Sequence, residues 1–568
     1  MKNLLIKIDE KKYSIDPIFW FLAIWLLINL VQSYFTELAH DEAYYWMYSR
    51  YLDWGYFDHP PVIAFLIKAG YALFPNELGV RLFPCILGTG TIFLIYKMID
   101  HPKKLRSLYI LLVGSIVLMY THVGGFLAIP DVPMIFFSAL FLFWYKKYAT
   151  HDSYIYALLL GVTGALMLYS KYHGLLVLVF TFLSNPKLLK RLSFWMIFLT
   201  IVLLMVPHLL WQIREGFPTF TYHLISRSTP YKLDHTINFL YSQFLIAGPL
   251  VAIIVLYHGF KKKAGTLFEK ALRYNLIGIF VFFFLSSFKG HVEAHWTAVA
   301  YIPLVILSYT SILESEKAQK WINYLFIPSI IGFMLIRLYL VYDFMPESWN
   351  IHSQFHNWNK SAHEIKKTAN GRIVVFSNSF QRPSKYTFYT KDFSLTLNCI
   401  YYRQNQYDLW PFEDSIQGKD IMLINNKSAI DTLLCSNGEH YAYNFIDDFR
   451  SYNKIKITLQ RYKFCFKPDS SVVIPVKISN LTNETFIVGK NVKNVHLVYT
   501  YIKKGKFITS PKKIEGLPNI KIESGKSTNV DITVKTPDVP GKYECYISVE
   551  TNYLYPAFNS RIIAFEIK

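Results

Sequence analysis

Long apolar runs separated by short polar segments fill the first 340 residues of the chain. A bilayer core about 30 Å thick is crossed by about 20 apolar helical residues, and the pattern predicts eleven membrane spans. The spans are residues 16–35, 79–97, 107–122, 130–145, 154–169, 172–184, 193–211, 239–257, 274–288, 295–313 and 321–341. The pair at 154–184 is short and broken by polar residues 170–174, so nine spans is the alternative count. The first run lacks a small-residue cleavage site and is interpreted as an anchor.

The charged residues between the runs give the predicted topology. Lysine and arginine concentrate in alternate loops, which the positive-inside rule assigns to the cytoplasm. The net charge of +20 follows from these loops, so a nucleic-acid partner is not needed to explain it. The low charged fraction of 17% also argues against a purely soluble enzyme, for which about 25% is usual. The basic residues are Lys97, Lys103, Lys104, Arg106, Lys146, Lys147, Lys187, Lys190, Arg191, Lys261, Lys262, Lys263, Lys270, Arg273, Lys317 and Lys320.

The opposite loops carry acids, histidines and isolated bases just beyond the span ends. Ionisable residues at this depth are costly and usually line a cavity or site. Any one of them can simply be a solvated interfacial residue, but the set predicts a polar cavity at the outer membrane face. Its members are Glu37, His40, Asp41, Glu42, Asp53, Asp58, His59, His122, Asp131, Lys171, His173, Arg214, Arg227, Lys232, Lys289, His291, Glu293 and His295.

The apolar runs stop near residue 342, which predicts a transmembrane domain over 1–342 followed by extracytoplasmic domains. Strand-like segments at 372–378 and 419–425 flank a helix-like segment and predict a small α/β domain over 343–458. Alternating segments from 472 to 549 predict an immunoglobulin-like β-sandwich over 459–568. Cys465 and Cys545 fall in two of its strands, either as a disulfide or as ordinary core thiols. The predicted fold is a multispanning α-helical membrane protein with these two outer domains.

Several motifs in the outer loops resemble one enzyme family. They are residues 40–46 (HDEAYYW), 55–61 (GYFDHPP), 130–133 (PDVP), 170–174 (SKYHG), 293–296 (EAHW) and 403–408 (RQNQYD). In this order, the motifs resemble the bacterial branch of the GT-C glycosyltransferases, which includes protein O-mannosyltransferases and the lipid A aminoarabinose transferase. The resemblance covers about residues 15–410 and leaves the terminal sandwich outside the family core.

The resemblance implies a membrane glycosyltransferase of the bacterial cytoplasmic membrane that acts at its outer face. The donor would be a sugar on a polyprenyl phosphate, and the acceptor an envelope lipid, glycan or protein, with inversion at the anomeric carbon. Asp41 would be the general base, with Glu42 and Asp131 as further catalytic residues. Glu42 either orients the acceptor or accepts a backbone hydrogen bond. Asp131 contacts a substrate or caps its helix.

The same resemblance implies cations beside the leaving phosphate, and Lys171, Arg227, Lys289 and His59 are the candidates. The family's aminoarabinose branch has Glu-Lys where this chain has Asp58-His59, so phosphate pairing by a histidine that is mostly neutral at pH 7 is less direct. Asp58, Glu293 and His295, with His59, are either ligands of a divalent metal ion or a hydrogen-bonded loop network. No other cofactor is expected.

Two other functions compete with glycosyl transfer. A transporter or flippase of a lipid-linked glycan would have ionisable residues through the membrane midplane and inverted repeats, and neither is evident. A non-catalytic envelope receptor would not need eleven spans or an acidic outer loop. The sequence leaves open which sugar and acceptor are used, and the oligomeric state.

Overall fold

The computed structural model describes residues 17–102, 125–223, 231–346, 348, 352–492 and 494–568. The chain divides into two compact units, residues 1–356 and 357–568. The predicted span 107–122 and the candidate Arg227 lie outside the described residues.

The first unit is helical in the part that the structure describes. Apolar side chains from several of its helices form a buried core, with Met134, Leu160, Leu276 and Leu304 among the side chains that are essentially inaccessible to solvent. The helices are α1 (Pro17–Phe35), α2 (His40–Arg50), α3 (Val62–Leu73), α4 (Glu77–Met98), α5 (Asp131–Thr150), α6 (Tyr154–Ser170), α7 (Gly174–Leu183), α8 (Leu192–Arg214), α9 (Pro218–Thr221), α10 (Leu233–Ile246), α11 (Ala252–Lys261), α12 (Leu267–Ser286), α13 (Tyr301–Leu313), α14 (Glu316–Val341) and α15 (His352–Phe355).

Five helical segments of the described chain are long and apolar enough to cross a membrane: 17–35, 77–98, 192–214, 294–313 and 316–341. Four shorter apolar helices, 62–73, 154–170, 174–183 and 252–261, lie between them. The multispanning helical prediction is therefore confirmed in its coarse form. The number eleven stays a prediction.

Two helical segments differ from the predicted spans, for identifiable physical reasons. The run 239–257 is not one helix, because α10 ends at Ile246 and α11 begins only at Ala252. Gly248 between them has φ +87°, and Pro249 has no N–H to continue a helix. The run predicted at 274–288 begins earlier, at Leu267, because Thr266 and Glu269 form a reciprocal cap at the start of α12.

The second unit begins with a mixed α/β sheet. Its strands are β1 (Ile373–Ser377), β2 (Ser394–Leu397), β3 (Lys419–Ile424), β4 (Asp431–Leu434) and β5 (His440–Phe449), in the order β2-β1-β3-β5-β4. The first three strands pair in parallel, while β5 is antiparallel to both β3 and β4. Helices α16 (Trp358–Ala369) and α17 (Gln381–Thr390) belong to this α/β part.

The rest of the second unit is β-rich, as predicted. A main sheet has the order β11-β10-β15-β16-β7, and a second sheet has the order β14-β8-β6. Along β8 the buried residues Ile474, Val476 and Ile478 alternate with more exposed ones, which is the pattern of a strand with one face in a core. The strands are β6 (Ile455–Thr458), β7 (Lys463–Phe466), β8 (Ser471–Asn480), β9 (Phe486–Val488), β10 (Val495–Lys503), β11 (Lys506–Phe507), β12 (Lys512–Lys513), β13 (Ile520–Ile522), β14 (Ser527–Lys535), β15 (Gly541–Thr551) and β16 (Ile563–Ile567).

Cys465 and Cys545 are both free thiols in this structure. Cys465 lies in β7 and Cys545 in β15, and β16 runs between these two strands. Adjacent strands are about 4.8 Å apart, so strands on either side of a third are too far apart for a disulfide. Cys465 is exposed, and Cys545 is buried in the core of the β-rich part. Of the two alternatives left open by the sequence, the arrangement favours unpaired thiols.

Candidate functional site

The Glu42 carboxylate is held entirely by protein donors. Arg81 on α4 donates from Nε to Oε1 at 2.8 Å and from a terminal nitrogen to Oε2 at 2.5 Å. The backbone N–H groups of Ala39 and Ala128 each donate to one carboxylate oxygen at 2.8 Å. Both side chains of this Glu42–Arg81 pair are fully buried. Of the two roles that the sequence left open for Glu42, this geometry favours the structural one.

The Arg81 guanidinium also joins the end of α1 to this pair. One terminal nitrogen donates to the carbonyl oxygens of Ser33 at 3.1 Å and Thr36 at 2.6 Å, and the other to that of Glu37 at 2.9 Å. The planar, multidentate guanidinium can satisfy all of these acceptors at once. The start of α2 is therefore fixed to α1 and α4 by a single buried side chain.

Asp41 is exposed in the first turn of α2, next to the buried Glu42. One turn later on the same helix, the Tyr45 side chain is buried. Burial raises the pKa of Tyr45 well above its usual value, and the negative charges of Asp41, Asp58 and Asp131 raise it further. Three acids that are far apart in sequence therefore act on one hydroxyl group.

The loop that contains Asp58 and His59 packs against α2. The Tyr48 hydroxyl donates a 2.5 Å hydrogen bond to Asp58 Oδ1, and His223 Nε2 lies 3.1 Å from the Asp58 carbonyl oxygen. The His59 ring makes an edge contact with the Tyr45 ring. Burial is the main cause that lowers the pKa of His59 to about 3, and the positive charge of Lys171 contributes. His59 is thus a neutral imidazole at physiological pH.

The same loop is fixed to α8 at its other end. A Cβ atom on Gly55 would lie 2.4 Å from Trp211 Cε3, so only glycine allows this close approach. His208 Nδ1 lies 2.7 Å from the Trp54 carbonyl oxygen, and its Nε2 lies 2.7 Å from the Tyr172 hydroxyl. These contacts hold the segment that carries Asp58 and His59 in one position.

Asp131 and Lys171 form a second buried ion pair. Lys171 Nζ donates to Asp131 Oδ1 at 2.7 Å and to Oδ2 at 2.8 Å, and both residues are buried. Asp131 begins α5, while Lys171 lies in the break between α6 and α7. His295 Nε2 is 4.0 Å from Asp131 Oδ2, and its side chain is 38% exposed. This Asp131–Lys171 pair therefore lies beside an accessible imidazole.

His173 closes the apolar side of this cluster. Its ring packs against those of Phe283 and Trp296, with centroids 5.3 and 5.1 Å away. Burial, with the positive charge of Lys171 as the next cause, lowers the pKa of His173 well below its usual value. A neutral ring among aromatic rings at this position provides an uncharged wall next to the charged residues.

The remaining predicted site residues are less closely tied to this cluster. Lys289 is exposed beyond the end of α12, and Glu293 is partly exposed with His291 Nε2 3.5 Å from its carboxylate. Within the described ranges, no group of three or more His, Cys, Asp or Glu side chains is arranged to hold a metal ion. The metal site of Asp58, Glu293 and His295 stays a prediction.

Three comparisons with known proteins bear on this fold. Residues 58–211 match the family model of dolichyl-phosphate-mannose-protein mannosyltransferases. The lipid A galacturonosyltransferase RgtD of Rhizobium johnstonii is 24% identical over 292 residues, which cover 48% of this chain and 60% of that protein. An uncharacterized protein of Aquifex aeolicus is 24% identical over 308 residues, covering 50% and 59%. The chain spans about three fifths of the length of these relatives.

A solved structure extends the likeness to the fold. The crystal structure of ArnT from Cupriavidus metallidurans bound to undecaprenyl phosphate matches with a TM-score of 0.55 at 14% identity, covering 76% of this chain and 98% of that chain. The chain has the GT-C fold. Together the comparisons show that the chain is similar to GT-C glycosyltransferases, and the resemblance inferred from the motifs is confirmed.

Within this GT-C fold, six predicted residues come together: Asp41, Asp58, His59, Asp131, Lys171 and His295. Sequence reasoning missed Arg81, the Tyr45 and Tyr48 hydroxyls of α2, and His223. The tyrosines had a local signal, because positions 41, 45 and 48 share one helix face. Arg81 had only the weak signal of a charge inside a predicted span, which usually marks a buried partner.

Proposed function

We propose that this protein transfers a sugar from a polyprenyl-phosphate donor to an envelope acceptor at the outer membrane face. The observation that supports it most is the gathering of Asp41, Asp58 and Asp131 around Tyr45, with Lys171 and His295 beside Asp131. Acids and cations from five separate segments meet at one end of an apolar helical unit. A site of this kind suits a reaction between a phosphate-linked donor and a hydroxyl acceptor.

The proposed reaction is an in-line displacement at the anomeric carbon. The acceptor oxygen attacks that carbon as its bond to the phosphate oxygen breaks, so the configuration inverts. The acceptor proton passes to Asp41, and the electron pair of the broken bond leaves with polyprenyl phosphate. Asp41 suits the base because it is the exposed acid of the three, whereas Asp58 and Asp131 are buried.

Lys171 stabilises the leaving phosphate in this proposal. Its ammonium group has three N–H donors, of which two hydrogen-bond to Asp131 in the structure. The third donor, with the His295 imidazole nearby, faces the charge that develops as the donor bond breaks. Donor binding would thus add a second anion to an ammonium group that Asp131 already holds in place.

The test is sugar transfer by the purified protein. It is incubated in detergent with defined polyprenyl-phosphate sugars and extracted envelope acceptors, and products are identified by mass spectrometry. Asp41→Asn should lower turnover by about 10²–10⁴-fold, because it removes the base. Asp234→Asn is the matched control, since Asp234 is also an exposed acid in the first turn of a helix.

Two results would count against the proposal. Normal turnover in folded Asp41→Asn would remove Asp41 as the base. A folded wild-type protein that releases polyprenyl phosphate from none of the donors would overturn glycosyl transfer itself and return the flippase alternative to first place.

A further inference from the structure

A cavity lies at the opposite end of the helices from the candidate site. It has a volume of about 650 Å³, within the range of small-ligand pockets, about 300–1,000 Å³. The candidate site uses the N-terminal end of α5 and the C-terminal end of α6, whereas this cavity uses the C-terminal end of α5 and the N-terminal end of α6. Helix α5 has 20 residues and so spans about 30 Å. The part of α5 that lines the cavity, residues 143–150, therefore lies about 18–28 Å along the helix from Asp131.

The cavity combines an apolar interior with a basic rim. Leu272, Ile306 and Leu307 line it and are buried. Lys97 and Lys147 line it and are exposed, while Lys146 is only partly exposed. A lipid needs both features, because its acyl chains enter an apolar space while its headgroup stays at the interface.

Aromatic rings hold two of these lysines at the rim. Lys147 Nζ lies 4.9 Å from the ring centroid of Phe143 and 5.2 Å from that of Trp144, and Lys97 Nζ lies 5.6 Å from that of Phe93. Among the described residues, no carboxylate forms an ion pair with Lys97 or Lys147. Two cations at the rim are thus positioned by cation–π contacts and not neutralised.

The acids that line the cavity are already engaged. Asp100 forms an ion pair with Lys146, whose Nζ also donates to the Met98 carbonyl oxygen at 2.9 Å. Glu269 accepts from the backbone N–H groups of Gly265 and Thr266 at the start of α12. Since Asp100 and Lys146 offset each other, the charges that remain are those of Lys97, Lys147 and Glu269, and their sum is positive.

We propose that this cavity binds the phosphate headgroup of a membrane lipid, with Lys97 and Lys147 on the phosphate and an acyl chain against Leu272 and Leu307. The site is distinct from the proposed catalytic cluster and does not depend on it. Its chemistry selects a negatively charged phosphodiester over an uncharged glycolipid.

The test measures lipid retention by the purified full-length protein with native mass spectrometry. Protein is equilibrated with micelles that contain dioleoylphosphatidylglycerol or, separately, monogalactosyldiacylglycerol. The wild type should retain phosphatidylglycerol and not the galactolipid. Lys97→Gln/Lys147→Gln should weaken phosphatidylglycerol binding roughly 30-fold, since each lysine near a lipid phosphate contributes about fivefold.

Matched variants separate a specific site from general charge. Lys187→Gln/Lys190→Gln removes two exposed lysines that do not line the cavity and should leave lipid retention unchanged. Lys97→Arg/Lys147→Arg keeps both charges and should retain the lipid. Retention would also show that positions 97 and 147 tolerate substitution.

Three outcomes would overturn the proposal. The first is an equal loss of phosphatidylglycerol binding in Lys97→Gln/Lys147→Gln and Lys187→Gln/Lys190→Gln. The second is retention of the galactolipid to the same extent as phosphatidylglycerol. The third is thermal stabilisation of the protein by glycerol phosphate alone, with no lipid retained. The last outcome would assign the cavity to a soluble phosphate compound. None of these measurements uses sugar transfer, so their failure is separate from failure of the proposed function.

Discussion

Two buried ion pairs in the described part of the helical unit are built differently. In the Glu42–Arg81 pair, both carboxylate oxygens and all three guanidinium nitrogens have protein partners, and both side chains are fully buried. In the Asp131–Lys171 pair, one ammonium group meets one carboxylate next to the partly exposed His295. The first arrangement has no capacity left for a ligand, whereas the second has. The position of an acid in one of these motifs therefore does not decide whether it is structural or available to a ligand.

Loss of the Arg81 side chain should lower the free energy of unfolding more than the other substitutions considered below. Arg81→Met leaves the Glu42 carboxylate buried without a cation, and removing one partner of a buried pair typically costs about 3–5 kcal/mol. We expect that loss in the free energy of unfolding, measured by denaturant titration in detergent. Arg214→Met is the control, because Arg214 makes its ion pairs in an exposed position. Equal stability of the two variants would contradict the structural role of Arg81.

Asp408, in the second unit, extends the comparison to a carboxylate whose described hydrogen bonds come from uncharged amide groups and not from an arginine or a lysine. It accepts from Asn398 Nδ2 and the Asn405 N–H, both at 2.8 Å, and burial raises its pKa to about 7. Since the folded pKa lies above the ordinary value of 3.8, the folded protein binds the proton more tightly. Its contribution to stability is therefore present at low pH and is lost as the pH rises from about 4 to 7.

Asp408→Asn should remove this dependence. Between pH 5 and pH 7 the wild type should lose about 2 kcal/mol of stability relative to the variant, because the slope of up to about 1.4 kcal/mol per pH unit falls to half as the pH reaches the folded pKa. Denaturant titrations of both full-length proteins at each pH give the difference. Glu413 is present in both proteins; burial raises its pKa, and its negative charge contributes to the raised pKa of Asp408. If the difference in unfolding free energy between the two proteins stays constant from pH 5 to pH 7, the raised pKa of Asp408 is contradicted.

Lys171→Met should have the smallest effect on stability. Asp131 loses its ammonium partner, but the His295 imidazole is 4.0 Å away and accessible, so an imidazole N–H can take the place of the lysine as hydrogen-bond donor. We expect a loss of about 1–2 kcal/mol in the free energy of unfolding, the cost typical of one lost polar partner. Sugar transfer should still fall strongly. Lys171→Met should therefore affect activity more than stability, the reverse of what we expect for Arg81→Met. A larger stability loss than that of Arg81→Met would reverse the distinction between the pairs.

The sequence predicted much of the candidate site and less of its internal pairing. Asp41, Asp131 and Lys171 were recognisable because each lies at a helix end in a polar motif, where local composition departs from the apolar runs. Their partners were not predictable, because contacts between residues about 40 positions apart depend on how helices pack. The break at Gly248 was missed for a related reason, since overall hydropathy of the run outweighed two residues of turn chemistry.

The anchoring of Glu42 has a consequence for its neighbour. Successive residues on a helix point about 100° apart, so fixing the Glu42 side chain inward sets the direction in which the preceding carboxylate projects. Shortening residue 42 by one methylene group, as in Glu42→Asp, would keep the charge but pull the first turn of α2 toward α4 to restore contact with Arg81. The direction in which the Asp41 side chain projects would change with that movement. The two adjacent acids therefore have different roles. Glu42 anchors the first turn of α2, and that anchor sets the orientation of the Asp41 side chain, so neither residue can replace the other.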